Sequence, residues 1–509
     1  MANNTEMGYW QVTKMGAKVY RPIVRVSFHT EKECYQMQAE AKNKHGEKLD
    51  PTYQLISVTT QKTLENPAGT FTITLAGTQW MSRLTPNDIV VIRMGYLGEK
   101  TLTTVMVGLI DNLRRTRVMS PEGVPSVGTQ VVGRDFGKIF LKTQLKFYPE
   151  IGIAEEGDDF FLTDEGRIQL MSIFLSQEHV SEGSPAELID VIMRFILPKL
   201  TEIKWKVYDE RGTNPKPKTV DLPTVLRYQL GQIDFELPFL LSADQYEGNL
   251  WNLMEKATPK PFVELFVDTR SDNEAWNPKT KGRAVPDTVA ESSSPDKAEG
   301  GADKDGYYPS PAFQFGEDGA KVVLVMRYAP FDSKHKDQIV RHTIEQVDVE
   351  NEELSVSDNE HYNLFWAGTS INPLNIELKR VAPPLMNVND VKRYGISPLE
   401  VQIEGLAVKR EEEASHSVAL SDMSKKYTAM LKAWFENNHK HWSGNLTIRG
   451  NANIRVGHMV DYPYQYVNKE FYVEGVTQSF NVFQSWKTTL QVTRGQKIGS
   501  KVNHSQYIK

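Results

Sequence analysis

Apolar and polar positions alternate along residues 1–150 in the manner of half-buried strands. In the segment GTFTITLAG, Phe71, Ile73 and Leu75 fall on one face and threonines fall on the other, which is the two-residue period of an antiparallel strand. Farther on, the runs LTPNDIVVIRM and VMVGLID flank a short loop that contains glycine, and we interpret this pattern as a β-hairpin. Residues 441–497 repeat the strand-and-turn pattern, so the sequence predicts a β-rich region near each end of the chain.

A helical period replaces this alternation in the middle of the chain. Thr163 and the segment from Ser184 to Glu187 each combine capping residues with apolar positions spaced three and four apart, which predicts two helices. Ser242 is predicted to open a third helix, and Ser397 and Ser421 show similar start signals farther along. The middle of the chain is therefore predicted to be mixed α+β.

One long segment has a different composition. Residues 271–311 contain no Leu, Ile, Phe or Met and are rich in Ser, Pro, Asp, Lys and Gly. Such a segment cannot bury enough apolar surface to offset the entropy lost on ordering. We interpret it as a polar linker or long loop, and we expect a neighbouring chain to order it.

The charge balance and the cysteine count exclude several classes of protein. The chain has 59 Lys and Arg against 65 Asp and Glu, a net charge of −6, which argues against a protein that binds nucleic acid through its phosphates. Cys34 is the single cysteine and cannot form a disulfide within the chain. No stretch approaches the ~18 apolar residues of a membrane helix, and the N-terminus lacks an export signal, so we expect no membrane insertion.

Two acidic segments are the main candidates for chemistry. Residues 150–165 hold seven carboxylates and no Lys or Arg, and paired carboxylates could serve a glycosidase; acids before a helix also complement its dipole, which we prefer. Residues 345–360 hold another seven acids, which are either a lumen or partner-facing surface or an ordinary solvated face. His439 and His441 lack the spacing of a zinc site, so we predict no catalytic residue, no metal and no cofactor.

Two hairpins resemble each other across the chain. LTPNDIVVIRM with VMVGLIDN, and NIRVGHMVDY with FYVEGVTQ, each place a turn residue before a strand and return into a strand that contains glycine. The match is short, but it is suggestive of two related barrels.

These hairpins belong to a series of segments that resembles a known family. NDIVVIRM, VVGRDFGKIF, NLWNLMEKATPKPFVELFVD, RYAPFD and the block from Gly444 to Gly495 follow one another in this order. In this order they are similar to the baseplate hub proteins of tailed bacteriophages. The group includes late control protein D, the hub domain of type VI secretion spike proteins (VgrG) and the hubs of phage-like bacteriocins.

The resemblance implies an α+β, mainly β fold with two tail-tube-like antiparallel β-barrels and inserted helical or mixed subdomains. The domains expected on this basis are a first tube-like barrel (1–150), a mixed α+β domain (151–270), the polar linker (271–311), the first part of the second barrel (312–385), a helical insertion (386–440), the completion of the second barrel (441–497) and a C-terminal tail (498–509).

The resemblance also implies a structural function without enzymatic activity. Three chains would form a pseudo-sixfold ring that joins the hexameric tail tube to the threefold central spike, with the tape measure protein and later genomic DNA passing through the lumen without specific binding. The expected partners are therefore the same chain in a homotrimer, the tail tube protein, the central spike or tip protein, the tape measure protein and the baseplate wedge proteins. The expected location is the tail baseplate of a virion assembled in the host cytoplasm, and a contractile tail is favoured.

We expect the two similar hairpins to form the ring between subunits. The residues predicted to take part are Val90, Ile92, Val105, Val107, Val460, Tyr462, Tyr472 and Val473. Two alternatives stay open at this point: a tail-associated cell-wall hydrolase that uses the acidic segment at 150–165, and the equivalent hub of a bacteriocin or secretion machine.

Overall fold

A computed structural model describes most of the two β-rich regions and part of the middle of the chain. The described residues are 9–12, 17–40, 54–119, 125–146, 189, 192–193, 197, 203–210, 217–230, 247–256, 258, 260–270, 313–329, 336, 339–359, 361–369, 383–403, 413–464, 466–482 and 484–500. The predicted helices at Thr163 and Ser184 and the linker at 271–311 lie outside them.

The N-terminal region consists of strands, as predicted. They are β1 (Tyr9–Val12), β2 (Ala17–Tyr20), β3 (Pro22–His29), β4 (Cys34–Glu40), β5 (Leu55–Thr63), β6 (Thr70–Ala76), β7 (Ile89–Tyr96), β8 (Thr103–Met119) and β9 (Pro125–Asp135). We call β3 to β9 the N-terminal module.

The middle region mixes short helices with strands. Its elements are α1 (Gly137–Lys142), β10 (Gln144–Lys146), β11 (Lys204–Tyr208), β12 (Pro217–Asp221), α2 (Leu222–Val225), β13 (Leu226–Leu230), β14 (Glu247–Asn249), α3 (Leu250–Lys256), β15 (Val263–Arg270) and β16 (Lys321–Tyr328).

The C-terminal region again consists mainly of strands. Its elements are β17 (Arg341–Thr343), β18 (Val349–Ser355), β19 (Leu364–Thr369), β20 (Leu385–Met386), α4 (Val388–Tyr394), β21 (Pro398–Ile403), α5 (Glu413–Phe435), β22 (Trp442–Arg449), β23 (Met459–Tyr462), β24 (Lys469–Asn481) and β25 (Trp486–Lys497). We call β17, β18 and β22 to β25 the C-terminal module; β19 to α5 form an insertion within it.

Both modules belong to one 13-stranded sheet. Its order is β18-β22-β25-β24-β5-β6-β9-β8-β7-β3-β4, with β23 and β17 following one another beside β24. Almost every pair in this sheet is antiparallel, and β17–β23 is the parallel exception. The predicted fold class, α+β and mainly β, is confirmed.

The two modules have the same strand order. In the N-terminal module the order is β5-β6-β9-β8-β7-β3, and in the C-terminal module it is β18-β22-β25-β24-β23-β17. The first five strands of each list take the same place in the chain order as their counterparts. The sixth differs, because the β3–β4 hairpin of the first module is replaced by the single short strand β17, which runs parallel to β23 whereas β3 runs antiparallel to β7. The fold is therefore an internal duplication.

Backbone hydrogen bonds at the hairpin turns confirm which residues are equivalent. The amide of Asn87 donates to the carbonyl of Ile110 at 2.8 Å, and the amide of Gly457 donates to the carbonyl of Val473 at 2.8 Å. Asn87 and Gly457 both have a φ of 76°, a conformation that asparagine and glycine tolerate better than other residues. Ile110 therefore corresponds to Val473.

The residue that follows Asn87 or Gly457 accepts a hydrogen bond through its side chain in both modules, but the side chain differs. The Asp88 carboxylate accepts from the amide of Thr85 at 2.8 Å, and Nδ1 of His458 accepts from the amide of Arg455 at 3.3 Å. An aspartate in one module and a histidine in the other thus cap equivalent turns.

Bulges occur at equivalent places as well. In β8 the register shifts between Ile110 and Asn112, and in β24 it shifts between Val473 and Gly475. A second pair of bulges lies near the start of β5 and of β18. Counting along β8 and β24 from the bulges at Asn112 and Gly475, Arg117 occupies the position equivalent to Phe480.

The helix predictions in the described residues had mixed outcomes. The helix expected from Ser242 begins at Leu250, because the side chain of Asn249 accepts from the amide of Asn252 at 2.8 Å and caps it there. The helix expected from Ser421 is confirmed, but it begins earlier, at Glu413.

The start signal at Ser397 was misleading. Residues 398–403 form β21, which pairs in parallel with β19. The Ser397 hydroxyl donates to the carbonyl of His361 at 2.7 Å instead of capping a helix. Pairing with a strand from elsewhere in the chain has overridden the local helix signal here.

The domain boundaries stay predictions, but one strand near a predicted boundary lies in the middle region. Residues 321–328, expected to begin the second barrel, form β16, which pairs with β13 in parallel and with β15 antiparallel in a separate three-stranded sheet. Within the described residues, the C-terminal module begins with β17.

Candidate assembly surface

The residues predicted to form a ring between subunits lie inside the modules. Val105 is half-buried, and the other predicted ring residues are buried, namely Val90, Ile92, Val107, Val460, Tyr462, Tyr472 and Val473. Their strands β7, β23 and β24 also have a partner on each side. The structure therefore places these side chains in the cores, and strand edges that lack a partner are better candidates for contact with another chain.

The two modules are joined by a strand that both of them share. The first part of β24 pairs with β23 and completes the C-terminal module, whereas its second part, from Gly475 to Asn481, pairs with β5 of the N-terminal module. Phe480 lies opposite Val58, and both side chains are buried in the core of the N-terminal module. One continuous strand thus belongs to both modules.

Polar contacts reinforce the same junction. The hydroxyl of Tyr96 donates to the carbonyl of Gly450 at 2.6 Å, and Nη2 of Arg455 donates to the carbonyl of Thr104 at 2.9 Å. The second bond is buried, where a hydrogen bond from a charged donor is stronger than at the surface. The modules are therefore held in a fixed relative position within one chain.

The outward face of the joined sheet is polar and bears few charges. Cross-strand pairs place hydroxyl and amide side chains in rows that continue from one module into the other. These side chains belong to Ser57, Thr59, Gln61, Thr70, Thr72, Thr74, Gln130, Thr447, Thr477, Ser479, Thr489 and Gln491. We call this set the hydroxyl face.

Two cations on the hydroxyl face have acidic partners, whereas the exposed Arg114, opposite Gln130, forms no ion pair with another described residue. Lys487 lies 2.6 Å from Glu350, and Arg449 lies 2.5 Å from Asp348. Pairing reduces the pull of such cations on a passing anion.

A buried ionic group attaches the C-terminal module to the middle region. Nε of Arg327, on β16, lies 3.1 Å from Glu264, and its Nη2 donates to the hydroxyl of Tyr472 at 3.1 Å. Burial and the neighbouring Glu264 carboxylate raise the pKa of Tyr472 well above its usual value, so this hydroxyl stays protonated.

A second buried group attaches the N-terminal module to residues after β11. Nη2 of Arg93 lies 2.5 Å from Glu210, and Nε2 of His29 lies 3.1 Å from the same carboxylate. Burial opposes the charge on Glu210, but the hydrogen bond from His29 and the charge of Arg93 outweigh burial and lower its pKa. Sequence reasoning missed this group, because its members are far apart in the chain.

The same place contains a possible metal-ligand set. His29, Cys34 and Glu210 offer ligand atoms within 4.8 Å of one another. However, Nδ1 of His29 accepts from the amide of Tyr208 at 3.1 Å, so the ring proton lies on Nε2 and no lone pair is left for a metal. Burial and Glu210 raise the pKa of Cys34 to about 12, which keeps it a thiol. The donor set therefore fits an ion-pair network better than a metal.

Histidine pairs lie in two different places of the structure. His458 is next to His342, with their ring nitrogens 3.0 Å apart, whereas the ring of His439 packs against that of His361. Burial lowers the pKa of His342, and burial together with His342 and Arg455 lowers the pKa of His458 further. Both rings are therefore neutral at pH 7.

The structure describes only one of the two acidic segments. Residues 150–165 lie outside the described residues. Most of 345–360 is described and includes β18, whose residues Glu350, Glu352 and Glu353 are exposed. Among the described residues, no helix combines the length and the apolar character needed to cross a bilayer.

Solved structures with a similar chain path are phage tail proteins and secretion-system proteins. The prophage MuSo2 43 kDa tail protein from Shewanella oneidensis has a TM-score of 0.44 at 10% identity, over 92% of this chain and 98% of that chain. The tail protein from Neisseria meningitidis MC58 has a TM-score of 0.42 at 8% identity, over 92% and 96% of the two chains. A chain of the lidded Francisella PdpA–VgrG complex has a TM-score of 0.40 at 8% identity, over 94% of this chain and 53% of that chain.

No family model and no curated protein sequence matches the chain. The similar structures belong to the classes of protein that the sequence resemblance named.

Proposed function

We propose that this protein is a structural hub of a phage-tail-like particle. Three copies form a ring with six similar modules, and this ring joins a hexameric tail tube to a threefold spike. The observation that carries the proposal is the internal duplication, with both copies of the module fused through β24 and β5. A chain with two equivalent modules lets three subunits match a sixfold partner.

The hydroxyl face is the surface that we assign to the conduit. It runs without interruption across the junction between modules, as the lining of a ring must. Its short hydroxyl and amide side chains offer few sites for a polyanion, and its cations Lys487 and Arg449 are held by acidic partners. In this proposal the tape measure protein and then DNA pass along it without specific binding.

The role that we propose is mechanical and has no catalytic residue. In a contractile tail the partners would be the tube protein, the central spike, the tape measure protein and the baseplate wedge proteins, and the chain would reside in the virion. The equivalent hub of a bacteriocin or secretion particle has the same geometry, and a particle with a capsid would distinguish the virion component.

The mass and symmetry of the assembled protein test the proposal. We expect light scattering on the purified chain to give three copies, and we expect electron-microscopy averages viewed down the axis to show six similar lobes with threefold symmetry. A stable monomer at micromolar concentration in low salt, or a ring with one module per subunit, would contradict the hub.

A separate assay tests the hydrolase alternative. The triple variant Asp158→Asn, Asp159→Asn and Glu165→Gln removes carboxylates from the acidic segment. We expect no release of peptidoglycan fragments from either the natural chain or the variant. Release that disappears in the variant would support the hydrolase instead.

A further inference from the structure

Two of the strand edges that are open among the described residues have equivalents that pair with each other inside the chain. β18 pairs with β22 on one side only. β8 pairs with β7 up to Leu109, and from there on it pairs with β9 alone. β18 is the counterpart of β5, and β8 is the counterpart of β24; β5 and β24 form the junction within the chain.

The two open edges carry opposite charges. On β8, Arg114, Arg115 and Arg117 are exposed, and none of their side chains forms an ion pair or hydrogen bond with another described residue. On β18, Glu352 and Glu353 are exposed as well. Glu352 accepts from the hydroxyl of Tyr462 at 2.8 Å, which fixes its position beside the edge.

We propose that β18 of one copy pairs antiparallel with residues 111–118 of β8 in the next copy. This proposal rests on the proposed function, since it names the contact by which the ring would close. The partner is a second copy of this chain because the duplication supplies both edges and because their charges are complementary.

The junction inside the chain fixes the expected register. There Ser479 lies opposite Thr59, and Phe480 lies opposite Val58. Transferred to the equivalent strands, Thr116 lies opposite Glu353 of the neighbouring copy.

In the same register Arg117 lies opposite Glu352 of the neighbouring copy. Arg114 and Arg115 come diagonally next to Glu353 and Glu352, within reach of long side chains. All three arginines thus gain an acidic neighbour.

The two kinds of junction differ in their chemistry. Inside the chain the register places a buried apolar pair, Phe480 and Val58, at the junction. Between chains the same position holds Arg117 and Glu352. Ion pairs at an exposed edge weaken as salt screens them, whereas apolar burial does not. The contact between chains should therefore be sensitive to salt, while the junction within the chain is not.

Thiol cross-linking tests the register directly. In a Cys34→Ser background, the pair Thr116→Cys and Glu353→Cys should form a disulfide between chains on mild oxidation and give covalent dimers and closed trimers on a non-reducing denaturing gel. Two control pairs keep Thr116→Cys and place the second thiol at Ser357 or at Asn445. Ser357 is four residues along the chain from Glu353, and Asn445 is one strand further into the sheet. Neither control pair should cross-link.

Charge exchange tests the contact independently. Arg117→Glu or Glu352→Arg alone should weaken association at least about tenfold, and the two together should restore it. Lys218→Glu makes the same change of charge at an exposed residue of β12 and should leave association unchanged. Circular dichroism of each variant checks that the fold is kept, and the cross-linking pairs supply the answer for any variant that unfolds.

The outcomes separate this proposal from the proposed function. A trimer that survives both charge reversals, or that cross-links only through a control pair, overturns the β18–β8 contact and leaves the hub standing. Absence of any oligomer in the natural chain at low salt overturns both.

Discussion

The N-terminal and C-terminal modules share a strand topology but differ in the side chains of their edges and cores. Their strand order, turn hydrogen bonds and bulges agree. The edge β5 of the first module is covered by β24 of the same chain, while its counterpart β18 is open among the described residues. The comparison teaches that a duplicated sheet can retain its backbone pattern while each copy acquires its own edge chemistry.

The cores show the same divergence. In the N-terminal module Phe71 on β6 lies over two glycines, Gly108 and Gly133, where a Cβ would overlap its ring. In the C-terminal module the counterpart of Phe71 is Gly444, and the counterpart of Gly108 is the buried Phe471. The aromatic ring therefore comes from a different strand in each copy, and the two sequences no longer align by residue type.

The largest expected effect concerns the equivalent residues Phe480 and Arg117. Phe480→Ala removes a buried ring from the junction inside the chain and should lower the free energy of unfolding by about 3–5 kcal/mol. Arg117→Ala removes an exposed side chain and should change it by less than about 0.5 kcal/mol. Chemical denaturation at high salt, where we expect the copies to be separate, measures both. Equal losses would show that the two positions are not as different as the burial indicates.

An intermediate effect is expected at another pair of equivalent positions, Gly133 and Val492. Gly133→Ala forces a methyl group against the ring of Phe71 and the carbonyl oxygen of Leu109, and overpacking of this kind costs about 1–3 kcal/mol. Val492→Ala is also destabilising, but by leaving a cavity.

A second substitution distinguishes the two causes. Phe71→Ala also lowers the free energy of unfolding by itself, since it removes a buried ring. Combined with Gly133→Ala, the total loss should be smaller than the sum of the two single losses, because the overlap with the ring is gone. Combined with Val492→Ala, the two losses should simply add. Thermal unfolding of the single and double variants gives the coupling. Additive losses in both combinations would argue against the overlap with Phe71.

The smallest expected effect is a difference in pH response between the turn residues Asp88 and His458. Burial raises the pKa of Asp88 above 3.8, whereas burial, His342 and nearby arginines, chiefly Arg455, lower the pKa of His458 below 6.5. Below pH 6.5 the unfolded chain binds a proton at His458 that the folded chain does not bind, so the free energy of unfolding falls with falling pH. At Asp88 the folded chain binds the extra proton, and acid favours the fold.

Hydrogen exchange at pH 7 and pH 5 tests this contrast. After correction for the intrinsic exchange rates, amides of β23 and β24 near His458 should lose protection at pH 5, while those of β7 and β8 near Asp88 should keep it. His458→Asp, which installs the side chain of the other module, should reduce the loss. An unchanged loss in this variant would assign the pH response to His342 or to another group.

The sequence was sufficient for the elements whose pattern is local. Strict alternation around Phe71 predicted β6, and the start signal at Ser421 predicted α5. The segment after Ser397 failed because its capping pattern is local, whereas its pairing with β19 is not. Alternation shows which face of a strand is buried, but it does not show which edge has a partner.

The candidate assembly surface was predicted only in part for that reason. Apolar residues such as Val90 and Val460 were chosen because strands with strong patterns are easy to find, and these residues are core. β18 is mostly exposed and has no apolar alternation, and its only signal was the excess of acidic residues at 345–360. The arginines of β8 lie in its second part, after the part with the strong apolar pattern. The sequence does not show that this second part lacks a partner on one side; the strand pairing in the structure does.

The strand shared by the two modules has a mechanical consequence. Because β24 runs unbroken from one module into the next, a force that pulls the modules apart along the strands loads many backbone hydrogen bonds at once. In the proposed ring of three copies, each subunit would therefore be stiff within itself, and the ring would bend or open only at the three contacts between subunits. If the proposed ring widens, it would therefore move as three rigid subunits and not as six independent modules.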